Sequence, residues 1–320
     1  MKNKKTVMAF ASIMIIIFLY WISIEVNAEY FISKTAYIGV DIFFFVSLYS
    51  LSKSQISSFL GFVTARFKAV YLKFILFSLI WLLRGGFSIK SFFLTITLAQ
   101  LFTKGGGSFL WFIPAIMLVY LVFPLFQKCD KANRRLTLCI VLCMYVTLAI
   151  IFSKVLVYRP IFIVLNRIPI MLLGYYMGCL GVFDRGFDKQ EISSMVRVVI
   201  ALALIIAGYF LIYKCAYKYR LQRPFVDTFY IVAALAVVGL VMLLSMVPEG
   251  RLTRWIGSST LEIYGLEHII GYPIIKYLYY IRGLNRILTN VLTMGLILAA
   301  SICLHYGYEA VVKRLKRGRH

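Results

Sequence analysis

The chain has 320 residues, 62% of them hydrophobic and only 15% charged, with a mean hydropathy of +0.88. Too few charges are present to cover a soluble fold of this size, so a water-solvated globule is excluded in favour of a protein solvated by lipid. The formal charge of +23 would suit a nucleic-acid binder, but the basic residues fall between apolar runs with no long polar stretch to form such a platform, so they read first as topology signals.

Lys2, Lys4 and Lys5 precede a first apolar run at 7–24. The run is too long, and too poorly followed by small residues, for a cleaved signal peptide, so it reads as an uncleaved first helix. Further runs lie at 36–52, 69–83, 109–126, 136–153, 161–182, 197–213, 227–247, 258–281 and 287–306. Each can cross a bilayer core of about 30 Å, some with help from flanking residues. A shorter run at 89–102 ends in Lys104-Gly105-Gly106-Gly107. Counting it as a span would move the 128–135 loop and the basic tail to the outer side. Leaving it out places the N-terminal lysines, Lys53, Arg66, Lys68, Lys128, Lys131, Arg134, Arg135, Arg185, Lys189, Arg197, Arg251, Arg254 and the tail inside. The positive-inside rule therefore favours ten spans, both termini cytoplasmic, and 84–108 as an outer loop or re-entrant segment. The expected fold is an all-α polytopic membrane protein in one domain, residues 1–320, because lipid requires backbone groups to be satisfied within each span.

Six cysteines lie mostly in or beside apolar runs, without a CxxC or a Cys/His cluster of metal spacing. They read as small helix-packing residues, and no metal site is expected.

Ionisable residues inside apolar runs are expensive and mark candidate sites. Asp41 sits beside the aromatic run Phe43-Phe44-Phe45 and either caps a helix at the interface or meets a partner in a polar cavity. Arg66, with Lys68 and Lys73, forms either a cytoplasmic anchor or a phosphate-binding face, since a guanidinium offers a planar fork to phosphate oxygens. Arg167, two residues before Pro169, either snorkels to the interface or faces a cavity at a bent helix. Glu262, Tyr264, Glu267 and His268 form the densest ionisable cluster in any run, either a structural polar knot or a proton-transfer group. Trp111, before Pro114, reads as an aromatic-belt anchor at a helix start. His305, near the end of the last run, reads as interfacial.

The order of these segments resembles the acyltransferase-3 family of bacterial membrane proteins. The likeness rests on Gly39-Val40-Asp41-Ile42-Phe43-Phe44-Phe45-Val46-Ser47, the Arg66 region, Trp111-Phe112-Ile113-Pro114-Ala115, Arg167-Ile168-Pro169-Ile170-Met171-Leu172-Leu173-Gly174 and Ser259-Thr260-Leu261-Glu262-Ile263-Tyr264. The resemblance implies a ten-helix bundle and O-acyl transfer at the cell membrane, with acetyl-CoA or another acyl-CoA as donor and no permanently bound cofactor. The acceptor would be a cell-surface polysaccharide or lipid-linked sugar, with membrane lipids as the remaining partners. Arg66 and Lys68 would meet donor phosphates, and Asp41, Trp111 and Arg167 would line the substrate cavity.

The sequence departs from the family at its usual base. The family carries a basic residue and, eleven positions later, a His in the first span. Here Lys5 plus eleven is Ile16, and Tyr20 or Trp21 occupies the region of the His. A neutral tyrosine, with an unperturbed pKa of about 10, is a poor base. The His expected three residues after Tyr264 is Glu267, with His268 one step on. Glu267, His268 or Glu25 would then supply the base. The alternatives are a non-catalytic relative or a transporter or flippase of a polysaccharide intermediate, to which the basic segment Lys214, Lys218, Arg220, Arg223 could attract an anionic substrate.

Overall fold

The computed structural model describes residues 1–23, 28–86, 88–102, 110–155, 160–184, 194–218 and 229–317. No strand occurs among them. In chain order the helices are α1 (Lys4–Tyr20), α2 (Ala28–Thr35), α3 (Ile38–Leu51), α4 (Phe59–Leu83) and α5 (Ile89–Ile96), the last followed by a 3-10 turn at Ala99–Phe102. Next come α6 (Phe112–Ala132), α7 (Arg134–Val155), α8 (Pro160–Leu165), α9 (Ile168–Cys179), and α10 (Ser194–Ile212), which runs into a π-helical segment at Tyr213–Lys218. The chain closes with α11 (Phe229–Met246), α12 (Arg251–Ser258), α13 (Thr260–Ile275), a second π-helical segment at Lys276–Ile281, and α14 (Arg286–Arg317).

Each of the ten long apolar runs falls on helix. Among the described residues five stretches are long and apolar enough to cross a membrane: Ala28–Leu51, Phe112–Ala132, Arg134–Ile151, Ser194–Cys215 and Arg286–Arg314. Ile163–Cys179 and Ile231–Met246 are apolar but shorter. Helix α4 has 25 residues, but Arg66, Lys68 and Lys73 interrupt its apolar face.

The run at 89–102 is broken rather than continuous. Ser88 caps α5, accepting a hydrogen bond from the Ser91 amide, and α5 lasts eight residues. That is about 12 Å of rise, far short of a bilayer core. Leu98 then takes a positive φ of 62°. Thr95 donates to the Gln100 side-chain carbonyl at 2.8 Å, both residues buried. Glu25, Lys104-Gly105-Gly106-Gly107, Arg185, Lys189, Arg220 and Arg223 lie outside the described residues.

The chain resolves into two compact units. One consists of Asn3–Phe43 and Leu244–His320. Within it α1 packs on α2, α12, α13 and α14. Ala9, Ile16 and Tyr20 of α1 share one face and meet Ile256, Ile263, Ile275 and Ile297 in the core. Helix α1 comes so close to α12 that a side chain on Gly257 would strike the Lys5 carbonyl. Glu249 accepts from the Lys5 amide at 2.8 Å, and the Asn3 amide group donates to the Ser245 carbonyl at 2.8 Å, which fixes where α1 begins. At the other end Glu29 accepts from the Trp21 indole at 2.5 Å and from Arg286 at 3.0 Å, while Asn290 bonds both the amide and the carbonyl of Ile22. These contacts hold the end of α1, and so the last residue of that helix, in place.

The other unit consists of Met1–Lys2 and Phe44–Leu243. Helix α6 packs on α4, α7 and α8. Helices α3 and α9 meet almost backbone to backbone, with Gly174 against Phe45 and Gly178 against Tyr49. Such close approach needs small residues spaced four apart. Asp130, 3% exposed, accepts from the hydroxyls of Tyr175 at 3.0 Å and Tyr176 at 2.8 Å and lies 3.6 Å from Arg134. A buried carboxylate in this setting is tolerable because three donors surround it. The N-terminal amine and Lys53 both pair with Asp184.

The six cysteines differ from their expected packing role. Cys129, Cys139, Cys143, Cys179 and Cys303 are exposed, Cys215 is partly so, and all are free thiols. A thiol behaves as a small hydrophobe, so a lipid-facing position suits it as well as a helix contact does.

The α3–α9 contact predicts the effect of one substitution. A Cβ on Gly174 would lie 2.5 Å from the Phe45 carbonyl oxygen, so Gly174→Val must push two helices apart. Overpacking of this kind costs about 1–3 kcal/mol. Detergent-extracted Gly174→Val should melt several degrees below the parent and give less monodisperse protein on size exclusion, whereas Gly295→Val, with open space around it, should match the parent.

Candidate functional site

The ionisable cluster expected on the 258–281 run lies on α13, and its members face different partners. Glu262, Tyr264 and Glu267 are buried, at 1%, 3% and 0% exposure, and His268 is partly buried. His268 and Gly271, three residues apart, share a helical face. Gly271 leaves room for the Tyr20 ring, since a Cβ there would come within 2.8 Å of it. The ring lies over that gap and its hydroxyl reaches His268 Nδ1 at 2.9 Å. The two rings meet edge-on at 6.3 Å.

Glu267 belongs to the same group. It immediately precedes His268 on α13, and its side chain is fully buried. Neither of its side-chain oxygens has a hydrogen-bond partner among the described residues. A fully buried carboxyl without a donor is costly in any low-dielectric setting. Where it persists, a working site is a better explanation than packing.

Tyr20 or Trp21 stands in the region expected of a first-span His; Tyr20, at the end of α1, meets the one His on α13. When His268 Nδ1–H donates to Tyr20, the Nε2 lone pair is left for a proton from elsewhere.

Glu262 has a separate partner. Its Oε1 lies 3.0 Å from His305 Nδ1, and His305 Nε2 lies 3.5 Å from Glu309. His305, read from sequence as interfacial, is 9% exposed and packed against α13. Two signals for it were present in the chain: the i, i+4 spacing of His305 and Glu309, and the need of Glu262 for a counter-group.

Asp41, also in this unit, is 1% exposed in the first turn of α3. The positive end of the helix dipole favours a carboxylate there. Next to it Gly39 packs against the Ala11 carbonyl of α1. This is the helix-start setting, inside the protein rather than at its surface.

The other candidates lie in the second unit. Arg167 is 2% exposed, just before α9, and donates through Nη1 to the Ile163 carbonyl at 2.8 Å. Its guanidinium stacks over Trp111 at 4.9 Å, and Trp111 and Phe112 pack around Phe44. Arg167 is therefore enclosed rather than snorkelling, and Trp111 is part of its cation–π enclosure as well as a residue at a helix start. Arg66 is half-buried, its guanidinium 5.4 Å from the Phe62 ring and 5.9 Å from the Tyr120 ring. Lys68 is exposed and, two residues on, points to a different side of α4. Arg66 and Lys73 share a face; Lys68 does not.

Within the first unit the arrangement can transfer a proton: an imidazole steadied by a phenol, beside a buried carboxyl. No group of three or more His, Cys, Asp or Glu arranged to hold a metal ion occurs among the described residues. No curated protein and no solved structure gives a significant match to the chain. The acyltransferase-3 family model, described as an acyltransferase domain, matches residues 6–306, nearly the whole length. The chain therefore belongs to the acyltransferase-3 family of membrane acyltransferases.

Proposed function

We propose that the protein is a multi-pass cell-membrane O-acyltransferase that moves an acetyl group from acetyl-CoA to a hydroxyl of a cell-surface polysaccharide or lipid-linked sugar. The reading takes residues 1–320 as one acyltransferase domain of ten spans, with both termini in the cytoplasm and 84–108 on the outer side. The observation that carries it is the Tyr20–His268 hydrogen bond at 2.9 Å beside Glu267. It puts an imidazole where a family member lacking its first-helix His still needs one.

In this mechanism His268 takes the proton of the acceptor hydroxyl as the oxygen attacks the thioester carbonyl. The O–C bond forms, the C–S bond breaks, and CoA leaves as a thiolate that takes up a proton. Tyr20 steadies the imidazole and sets which nitrogen is free. Glu267 stabilises the imidazolium when it forms. Arg66, between the Phe62 and Tyr120 rings, binds donor phosphates through its guanidinium, and Lys68 adds a second cation on another side of α4. Arg167, enclosed against Trp111, keeps a fixed positive charge within its own unit. Glu262, Tyr264 and Asp41 complete the polar lining.

The direct test is transfer of labelled acetyl from acetyl-CoA by the purified protein in lipid nanodiscs to lipid-linked sugar or extracted surface glycan. Label should appear as a base-labile ester on the acceptor. Well-folded protein that transfers no label to any sugar acceptor would defeat the reading.

Two substitutions locate the chemistry. His268→Gln should lower kcat by about 10²–10⁴-fold, the range for loss of a positioned general base, with KM for acetyl-CoA nearly unchanged. Tyr20→Phe keeps the ring over Gly271 and removes only the hydroxyl, and should lower kcat by roughly tenfold. Arg66→Ala should act on the other side of the reaction, raising KM for acetyl-CoA by roughly tenfold, as loss of a charge-assisted phosphate contact does. Steady-state kinetics with each substrate varied separates these outcomes.

A further inference from the structure

Acyl transfer by His268 leaves a second imidazole of the same unit without a task. His305 stands between two carboxylates, one on each ring nitrogen. Side-chain exposure falls steadily along the three groups: 46% at Glu309, 11% at His305 and 1% at Glu262. A purely structural histidine needs one partner to fix its ring. Here the second carboxylate lies on the exposed side, where it adds little to stability. Its geometry does serve one purpose: it places a proton carrier on either side of the imidazole.

We propose that Glu309, His305 and Glu262 form a proton relay between the exposed Glu309 of α14 and the buried first turn of α13. The use made of the proton rests on the acyl-transfer reading; the relay itself does not.

The step balances. A proton on Glu309 passes to His305 Nε2. The imidazolium then releases its Nδ1 proton to Glu262 Oε1 at 3.0 Å. One proton enters and one leaves, no electrons move, and the ring resets by exchanging tautomers. The same sequence runs in reverse. Glu262 lies five residues before Glu267 on α13, about 7.5 Å along the helix axis. Glu267 thus stands more than one turn further along α13, on a different face from Glu262. Acyl transfer removes a proton from the acceptor hydroxyl at the Tyr20 end of α1, and the leaving thiolate needs a proton at the cytoplasmic end. The His305 array, Tyr264 and Glu267 follow α13 between those ends, and Asp41 of α3 is buried in the same unit.

Two cations of the neighbouring helices contact backbone carbonyls. The Lys5 ammonium of α1 lies 3.4 Å from the Gly257 carbonyl, and Arg254 of α12 donates to the Gly250 carbonyl at 3.4 Å. The Tyr306 ring meets the imidazole edge-on at 5.2 Å and supports its orientation.

The test reads protonation directly, on the full-length protein in nanodiscs. Infrared difference spectra after a pH jump follow the carboxyl band of Glu262, identified by its loss in Glu262→Gln. In the parent protein this band should follow the jump. His305→Gln keeps a hydrogen bond to Glu262 but cannot carry a proton, and should slow the response roughly tenfold or more. Glu309→Gln, on an exposed residue that threatens no fold, should slow it as well. Added imidazole should restore the response in His305→Ala, which a packing role would not allow. A Glu262 band that responds as fast in His305→Gln as in the parent would overturn the relay.

Acetyl transfer measured on the same samples separates this proposal from the acyl-transfer reading. A slowed band together with lower kcat and unchanged KM for acetyl-CoA supports both. A slowed band in a protein that transfers no acetyl keeps the relay and removes the acyl-transfer reading. A slowed band with unchanged kcat removes the relay from the reaction.

Discussion

A carboxyl group inside a lipid-solvated bundle has no water to turn to, and this constraint governs how the ionisable residues of the chain are arranged. Each buried charge needs a partner drawn from another helix, so the charges dictate which helices meet and in what register. Asp130 collects two tyrosine hydroxyls from α9 and an arginine one turn along. Glu262 takes His305 from α14. Glu29 takes Arg286 and Trp21. Glu267 stands out because its oxygens have no such donor among the described residues.

The first unit is organised around α1. Its near end is tied by Glu249 and Ser245, its far end by Asn290 and by Glu29, and its middle is packed on isoleucines of α12, α13 and α14. Such bracing matters for Tyr20. A hydroxyl that must stay 2.9 Å from an imidazole needs a helix that neither slides nor turns. Gly39, Gly257 and Gly271 serve the same end by letting α1 approach where a side chain would hold it off.

A phenol from α1 and an imidazole and a carboxyl from α13 lie in this unit. An apolar set of side chains would be cheaper to bury than these half-satisfied polar ones. The enclosed Arg167–Trp111 pair in the other unit follows the same logic, with an aromatic face standing in for a carboxylate.

Much of this was legible in the residues by themselves. Apolar runs of about twenty residues, separated by basic loops, specify helices in lipid because no other local structure satisfies the backbone there. The break in 89–102 could be anticipated from its short length, and the group Glu262-Ile263-Tyr264-Gly265-Leu266-Glu267-His268 from polar residues where lipid should be. Which of those groups meet was decided only by tertiary structure. Tyr20 and His268 are 248 residues apart, and Glu262 and His305 are 43 apart. Helical periodicity places a side chain on a face but says nothing of which other helix that face will touch. His305 therefore read as interfacial until α14 packed on α13, and Arg167 stood between snorkelling and facing a cavity until Trp111 closed over it.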